Sequence, residues 1–233
     1  MLINFPEVNF QNQILSEVYN SNASFNFAEI YSTYKNHSAT FYIFNDALKI
    51  ENVRVNVSAA NMQKIANFLN CILPTAKLYD LMYSHAQKKI QPKPRAISST
   101  KEAMIAHSLE IDKSITDSNI IATVGKVWIL DNNTPKNMAC NYGWHFEGDS
   151  YQGIRGDVTA SGIVDSAGKP IRMIQSRGHR HDSSHCDYSQ ICILVSKECI
   201  VNGESRNIEE ILKDPELSYL ANHSGVLKLL EQK

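Results

Sequence analysis

The chain has 233 residues, 23 Lys plus Arg against 24 Asp plus Glu, and a formal net charge of −1. Its 43% hydrophobic content, with only 10 Gly and 7 Pro, excludes disordered, collagen-like and low-complexity classes. Five cysteines in this length exclude a small disulfide scaffold, and near-zero charge gives no electrostatic pull toward nucleic acid.

The N-terminus, MLINFPEVNF, lacks the basic and apolar regions of a secretory leader. No window approaches the roughly 20 apolar residues of a membrane span. A cytoplasmic protein with no membrane and no nucleic-acid partner is expected; an export route without a cleaved leader is compatible with this. Phe10 to Tyr19 reads as a short helix with Ile14, Leu15 and Val18 on one side. Residues 38–44 and 52–57 read as strands, because β-branched and aromatic residues alternate with polar ones. Ser58 offers an N-cap to a helix with Met62, Ile65, Ala66 and Leu69 on its apolar face. Pro74 ends it, Thr75 caps a second helix carrying Leu78, Leu81, Met82 and His85, and the two predict an αα-hairpin. Lys88 to Arg95 is a basic, proline-punctuated stretch best read as a solvated connection. Ser99 or Thr100 opens a third helix to about Lys113, with Met104, Ile105, Leu109 and Ile111 on its apolar face. His107, inside it, reads as a structural or surface histidine.

From residue 120 the pattern turns to strands: Ile120–Leu130, Ala139–Phe146, Ile171–Ser176, Asp187–Val195 and Cys199–Asn202. Turn signals at Asp131–Asn133, Gly148-Asp149, Gly162 and Ala167–Pro170 separate them. Short helices are expected at Ile208–Leu212 and Glu216–Leu220, and a C-terminal helix from Val226. The expected class is α+β, with a helical N-terminal half packed on a mostly antiparallel sheet in the C-terminal half. A single integrated unit, 1–233, is expected, with a possible subdivision near 95 into 1–95 and 96–233.

The chemistry-bearing stretch is Gly178 to Gln190, with His179, His181, His185, Asp182 and Asp187 between two strands. Neutral imidazoles and carboxylates at this density suit a divalent metal, zinc among them. His179 and His181 would share a face if extended. The bland alternative is a hydrogen-bond network that ties down a loop. Asn141-Tyr142-Gly143-Trp144-His145 is the second feature: alternation places Asn141, Gly143 and His145 on one face and Tyr142, Trp144 and Phe146 on the other. The third is Lys126, inside the otherwise apolar Gly125-Lys126-Val127-Trp128; such a lysine points to solvent or enters a polar site. Cys140 and Cys186 read as buried thiols rather than nucleophiles.

Leu73-Pro74-Thr75, Pro94, Thr100, Gly125-Lys126, Tyr142-Gly143-Trp144-His145, Ile174-Gln175, His181 and Asp187-Tyr188-Ser189 together resemble a family of uncharacterised microbial proteins, over roughly residues 50–215. The resemblance implies Lys126, His145, Gln175, His181, Asp187, Tyr188 and Ser189 as polar site residues, and implies no established reaction. Where His185 stands, the family often carries an aromatic residue, which implies His181 and Asp187 as the stronger ligands. Trp144-His145 with His181-x5-Asp187 also distantly resembles the His/Asp/His zinc sites of peptidoglycan-cleaving peptidases, in reversed order and one residue shorter.

The leading expectation is a metal-assisted hydrolase of a small-molecule or peptide-like, cell-wall-type amide substrate. His145, His181 and Asp187 would hold the ion, with His179 or His185 added. Glu147 or Asp149 would act as base, and Lys126 or Tyr188 would stabilise an oxyanion. The first alternative is a metal-free acid–base or nucleophilic enzyme built on Lys126, His145 and Ser189 or Asp187. The second is a binding or effector module without chemistry.

Overall fold

A computed structural model describes residues 10–115, 119–147, 159–165 and 167–232. In chain order the N-terminal half runs α1 (Phe10–Tyr19), β1 (Ala23–Ser24), β2 (Phe27–Tyr34), β3 (His37–Phe44), β4 (Lys49–Ile50), β5 (Val53–Arg54), α2 (Ala59–Phe68), β6 (Cys71–Ile72), α3 (Ala76–His85) and β7 (Lys88–Lys89). The chain continues with α4 (Lys101–Asp112), β8 (Ile121–Ala122), β9 (Lys126–Ile129), β10 (Met138–Phe146), β11 (Thr159–Val164), β12 (Pro170–Asp182), β13 (Gln190–Ile191), β14 (Val195–Val201), β15 (Glu204–Asn207) and α5 (Ile208–Lys213).

This corrects the expected layout. Strand (36%) exceeds helix (25%), and the helices are scattered rather than gathered in one half. The physical reason is non-local pairing. The early hairpin β2–β3 joins β14 and β15 in one sheet, in the order β15-β14-β3-β2, with β6 also paired to β14. A second sheet has the order β11-β12-β10-β9-β13, antiparallel except for β13 on β9. One apolar cluster draws on Phe41, Ile43 and Met62 as well as Val127, Trp128 and Ile193, from both sides of residue 95.

Local signals set the helix starts. The side chains of Ser58, Thr75 and Thr100 accept the N–H groups of Asn61, Leu78 and Ala103, so α2, α3 and α4 begin where hydroxyl caps stand. The αα-hairpin does not form: Cys71–Ile72 is pulled into the sheet by β14, with Ile72 opposite Val195, and separates α2 from α3. The segment from Val226 is not helical. It is pinned instead by Asn132, whose Nδ2 donates to the Val226 carbonyl (2.8 Å) and whose Oδ1 accepts from the Lys228 N–H (2.7 Å). On α4, Leu109 is exposed, while His107 and Ser108 are buried. Among the described residues no helix is long and apolar enough to cross a membrane.

The β9–β10–β12 centre of the second sheet positions the polar residues. Cys140 pairs with Ile129, Asn141 with Trp128 and Gly143 with Lys126. Against β12, Ala139 pairs with His181, Asn141 with Gly178 and Gly143 with Gln175. Two steps on β10 thus face three on β12, twice over, so β12 carries two bulges. A bulge resets which side chains face which way, and it does so at the histidines.

Candidate functional site

His179 and His181 are two apart, yet the first bulge sends them to opposite faces. His181 lies against Trp128, ring centroids 6.2 Å apart, whereas His179 Nε2 is 3.4 Å from Asp131. Trp128 shares the face of Asn141; Asp131 shares that of Ile129 and Cys140. The expected alternation also fails at Gly143-Trp144, where φ is +126° and +58°. These left-handed residues turn Tyr142 and His145 to the same side. Tyr142 Oη and His145 Nε2 both donate to Asp80 Oδ1 on α3, each at 2.7 Å. His223 Nε2 donates to Asp80 Oδ2 at 2.8 Å. Burial alone would raise the Asp80 carboxyl, but hydrogen bonds from His145 and His223 outweigh it and hold the group below the usual carboxylate range.

His145 is therefore not brought together with His181 and Asp187. Along β10 it stands opposite Met173, six residues from Ala139, the residue opposite His181. Six residues of strand span about 20 Å, whereas ligands of one zinc ion lie roughly 2 Å from it. Glu147 is exposed and pairs with Lys89 at 2.7 Å. Asp149 and the Gly148-Asp149 turn lie outside the described residues.

The other face gathers most of the expected set. Lys126 Nζ is 3.7 Å from Asp187 Oδ2 and lies over the Trp144 ring, 5.3 Å from its centroid. Gly125 allows this, because a Cβ there would meet Ile191 Cγ2 at 2.6 Å and the Ser189 carbonyl at 2.7 Å. The close approach sets Lys126 beside Gln190. Ser189 donates to Asp187 Oδ1 through its backbone N–H (2.8 Å) and its hydroxyl (2.5 Å). Burial would raise the Asp187 carboxyl, yet the Lys126 ammonium and the Ser189 bonds outweigh it and keep it below the usual range. His181 and His185 stack, centroids 4.0 Å apart at 10°, and His185 Nε2 is 3.8 Å from Asp187 Oδ2. Burial, then the His185 and Lys126 charges, push His181 downward, which favours its neutral form.

Two expected roles do not fit this geometry. Ser189 is fully buried and its hydroxyl is committed to Asp187. The Tyr188 hydroxyl is bound between the Arg95 N–H (2.5 Å) and the Arg95 carbonyl (3.1 Å), and its ring packs on His107 and near Trp144. Gln175 donates to the Ser176 carbonyl at 2.8 Å. Burial pushes the Cys140 and Cys186 thiols up, which leaves them poor nucleophiles.

Of the residues that surround the Lys126–Asp187 pair, sequence reasoning named His185 but gave no site role to Asn141, Trp144, Gln190 or His107. Six buried side-chain atoms here lack a hydrogen-bond partner: Asn141 Nδ2 and Oδ1, Trp144 Nε1, Gln190 Nε2, His185 Nε2 and His107 Nε2. Buried polar atoms are nearly always satisfied, so this concentration marks a polar lining that water or a bound molecule can satisfy. Asn141 and Gln190 sat inside apolar strands, and that was the available signal. A surface cleft of about 390 Å³ lies elsewhere, lined by Phe27, Tyr31, His85 and Ile120 among others. Its histidine is already spent: Nδ1 donates to the Leu81 carbonyl (2.8 Å) and Nε2 accepts from the Tyr31 N–H (3.2 Å).

Comparisons with protein-family models, with curated proteins and with solved structures give no match.

Proposed function

We propose that the protein is a metal-independent acid–base enzyme acting on a small molecule with a carbonyl or carboxylate group, at the face formed by Lys126, Asp187, His181 and His185. The carrying observation is the cluster of unsatisfied buried polar atoms around the Lys126–Asp187 pair. Donors predominate in that lining: the Lys126 ammonium, the Trp144 indole N–H and the Gln190 amide. Fixed donors in a water-poor site stabilise developing negative charge on oxygen. Asp187 keeps Lys126 aimed, and Ser189 keeps Asp187 aimed. His181, neutral and half-buried, takes the proton, and stacked His185 orients it. His145 has no part here, because its nitrogen is held by Asp80.

Turnover of a panel of small esters, lactones and keto acids, measured after dialysis against a strong chelator, tests this. Activity is expected to survive chelation. Lys126→Met and His181→Ala are expected to keep the circular dichroism spectrum and to lower kcat/KM roughly 10²–10⁴-fold. Activity that vanishes on chelation and returns with zinc would overturn the reading, as would wild-type rates in both variants.

A further inference from the structure

The face of the sheet turned toward α3 carries a second constellation. Asp131 follows β9, Cys140 lies within β10 and His179 lies within β12, so two adjacent strands and the exit of a third contribute one residue each. One carboxylate oxygen, the Cys140 Sγ and one His179 ring nitrogen all lie within 4.8 Å of one another. Ligands of a tetrahedral ion at about 2.0–2.3 Å stand roughly 3.3–3.8 Å apart, so the group needs only a small contraction.

Three further observations point inward. His179 Nε2 is shielded from water and makes no hydrogen bond, although Asp131 Oδ1 is only 3.4 Å away. Asp131 is oriented from outside the cluster: the Asn133 N–H donates to Oδ1 at 2.8 Å and Arg177 holds Oδ2 at 3.3 Å. Such outer contacts fix a ligating carboxylate while leaving a lone pair on Oδ1 for an ion. Cys140 is fully buried, whereas the His179 and Arg177 side chains keep 24% and 32% of their exposure, which gives an ion a way in.

We propose that Asp131, Cys140 and His179 bind one divalent transition-metal ion of the zinc class, with a fourth position open toward solvent. One thiolate, one imidazole and one carboxylate suit zinc or cobalt and disfavour magnesium and calcium, which prefer all-oxygen shells. The site is independent of the acid–base reading, because His179 and His181 face opposite sides of the sheet.

Cobalt(II) titration of protein purified from chelator tests the proposal. The expected result is a thiolate-to-cobalt charge-transfer band in the near ultraviolet that saturates at about one equivalent, and that zinc displaces. Cys140→Ser should abolish the band, and His179→Gln should weaken binding about 10–100-fold. A His181→Ala/His185→Ala double variant should retain both band and affinity. X-ray absorption of the zinc-loaded wild type should show one sulfur scatterer, a readout that needs no variant to fold. No charge-transfer band in the wild type, no sulfur at the zinc, or loss of the band only in the His181/His185 variant would each overturn it.

Discussion

Gly143 and Trp144 decide where the aromatic and imidazole groups of β10 point. Gly143 sits at φ +126°, and a Cβ on it would lie 2.8 Å from Tyr79 Cε1. Gly143→Ala therefore meets both a disfavoured backbone region and the Tyr79 ring. About 3 kcal/mol of stability should be lost, a fall in Tm of about 6–12 °C by calorimetry; a fall under about 2 °C would show that the strand relaxes freely. Trp144 at φ +58° is a bulky residue in a region it rarely adopts. That cost is offset by placing its ring beneath Lys126, and such strain gathers at working sites. The residue types of the proposed Lys126, His181 and Asp187 site were legible in the sequence, since a lysine in an apolar strand and a histidine-rich loop are local signals. Their partition was not. Simple alternation put His145 on the face of Gly143, whereas two consecutive positive φ values turned it toward Asp80.

At the scale of elements, α4 shows what a mixed helix needs in order to stay in place. Its buried side includes His107 and Ser108 as well as Met104 and Ile111. Arg54, buried to 2% exposure, supplies the attachment. Its guanidinium binds Asp46 at 2.8 and 2.7 Å and Asp112 at 2.5 Å, and its N–H donates to Ser108 Oγ at 2.9 Å. Arg54→Ala leaves the Asp46 carboxylate without its arginine and should cost about 3–5 kcal/mol. Hydrogen exchange should speed up in Lys101–Asp112 before it does in β10; equal protection in variant and wild type would refute this attachment. The helix starts were legible because hydroxyl caps act within three residues. The missing αα-hairpin was not, because the competitor for Cys71–Ile72 is β14, more than a hundred residues downstream. Long-range pairing likewise explains why the strands read from the sequence are shared among four sheets of the described residues and not gathered in one.

The whole molecule should lose stability in steps as pH falls. Burial pushes His107 down to about 4. Near pH 5.5 the folded protein therefore keeps this ring neutral while the unfolded chain protonates it. Unfolding takes up a proton, so the contribution is complete above about pH 6.5 and fades toward pH 4, by about 3 kcal/mol. Asp80 and Asp187 are held below the ordinary carboxylate range, so their contributions are present above about pH 4 and fade at lower pH, as they protonate. Urea midpoints from pH 8 to pH 4 should fall in the upper window, and His107→Gln should flatten that slope. An unchanged slope in the variant would remove His107 as the cause.

The pairing of Ala39 with Val201 has a consequence for how the chain is made. At about 5–20 residues per second, β14 leaves the ribosome roughly 10–30 s after β3. For that interval the β2–β3 hairpin, with Ile30, Phe41 and Ile43 destined for full burial, has an open backbone edge and no sheet to join. The nascent chain is thus most exposed to edge-to-edge association through its first hairpin, and a chain halted before Val195 never receives the strand that covers it.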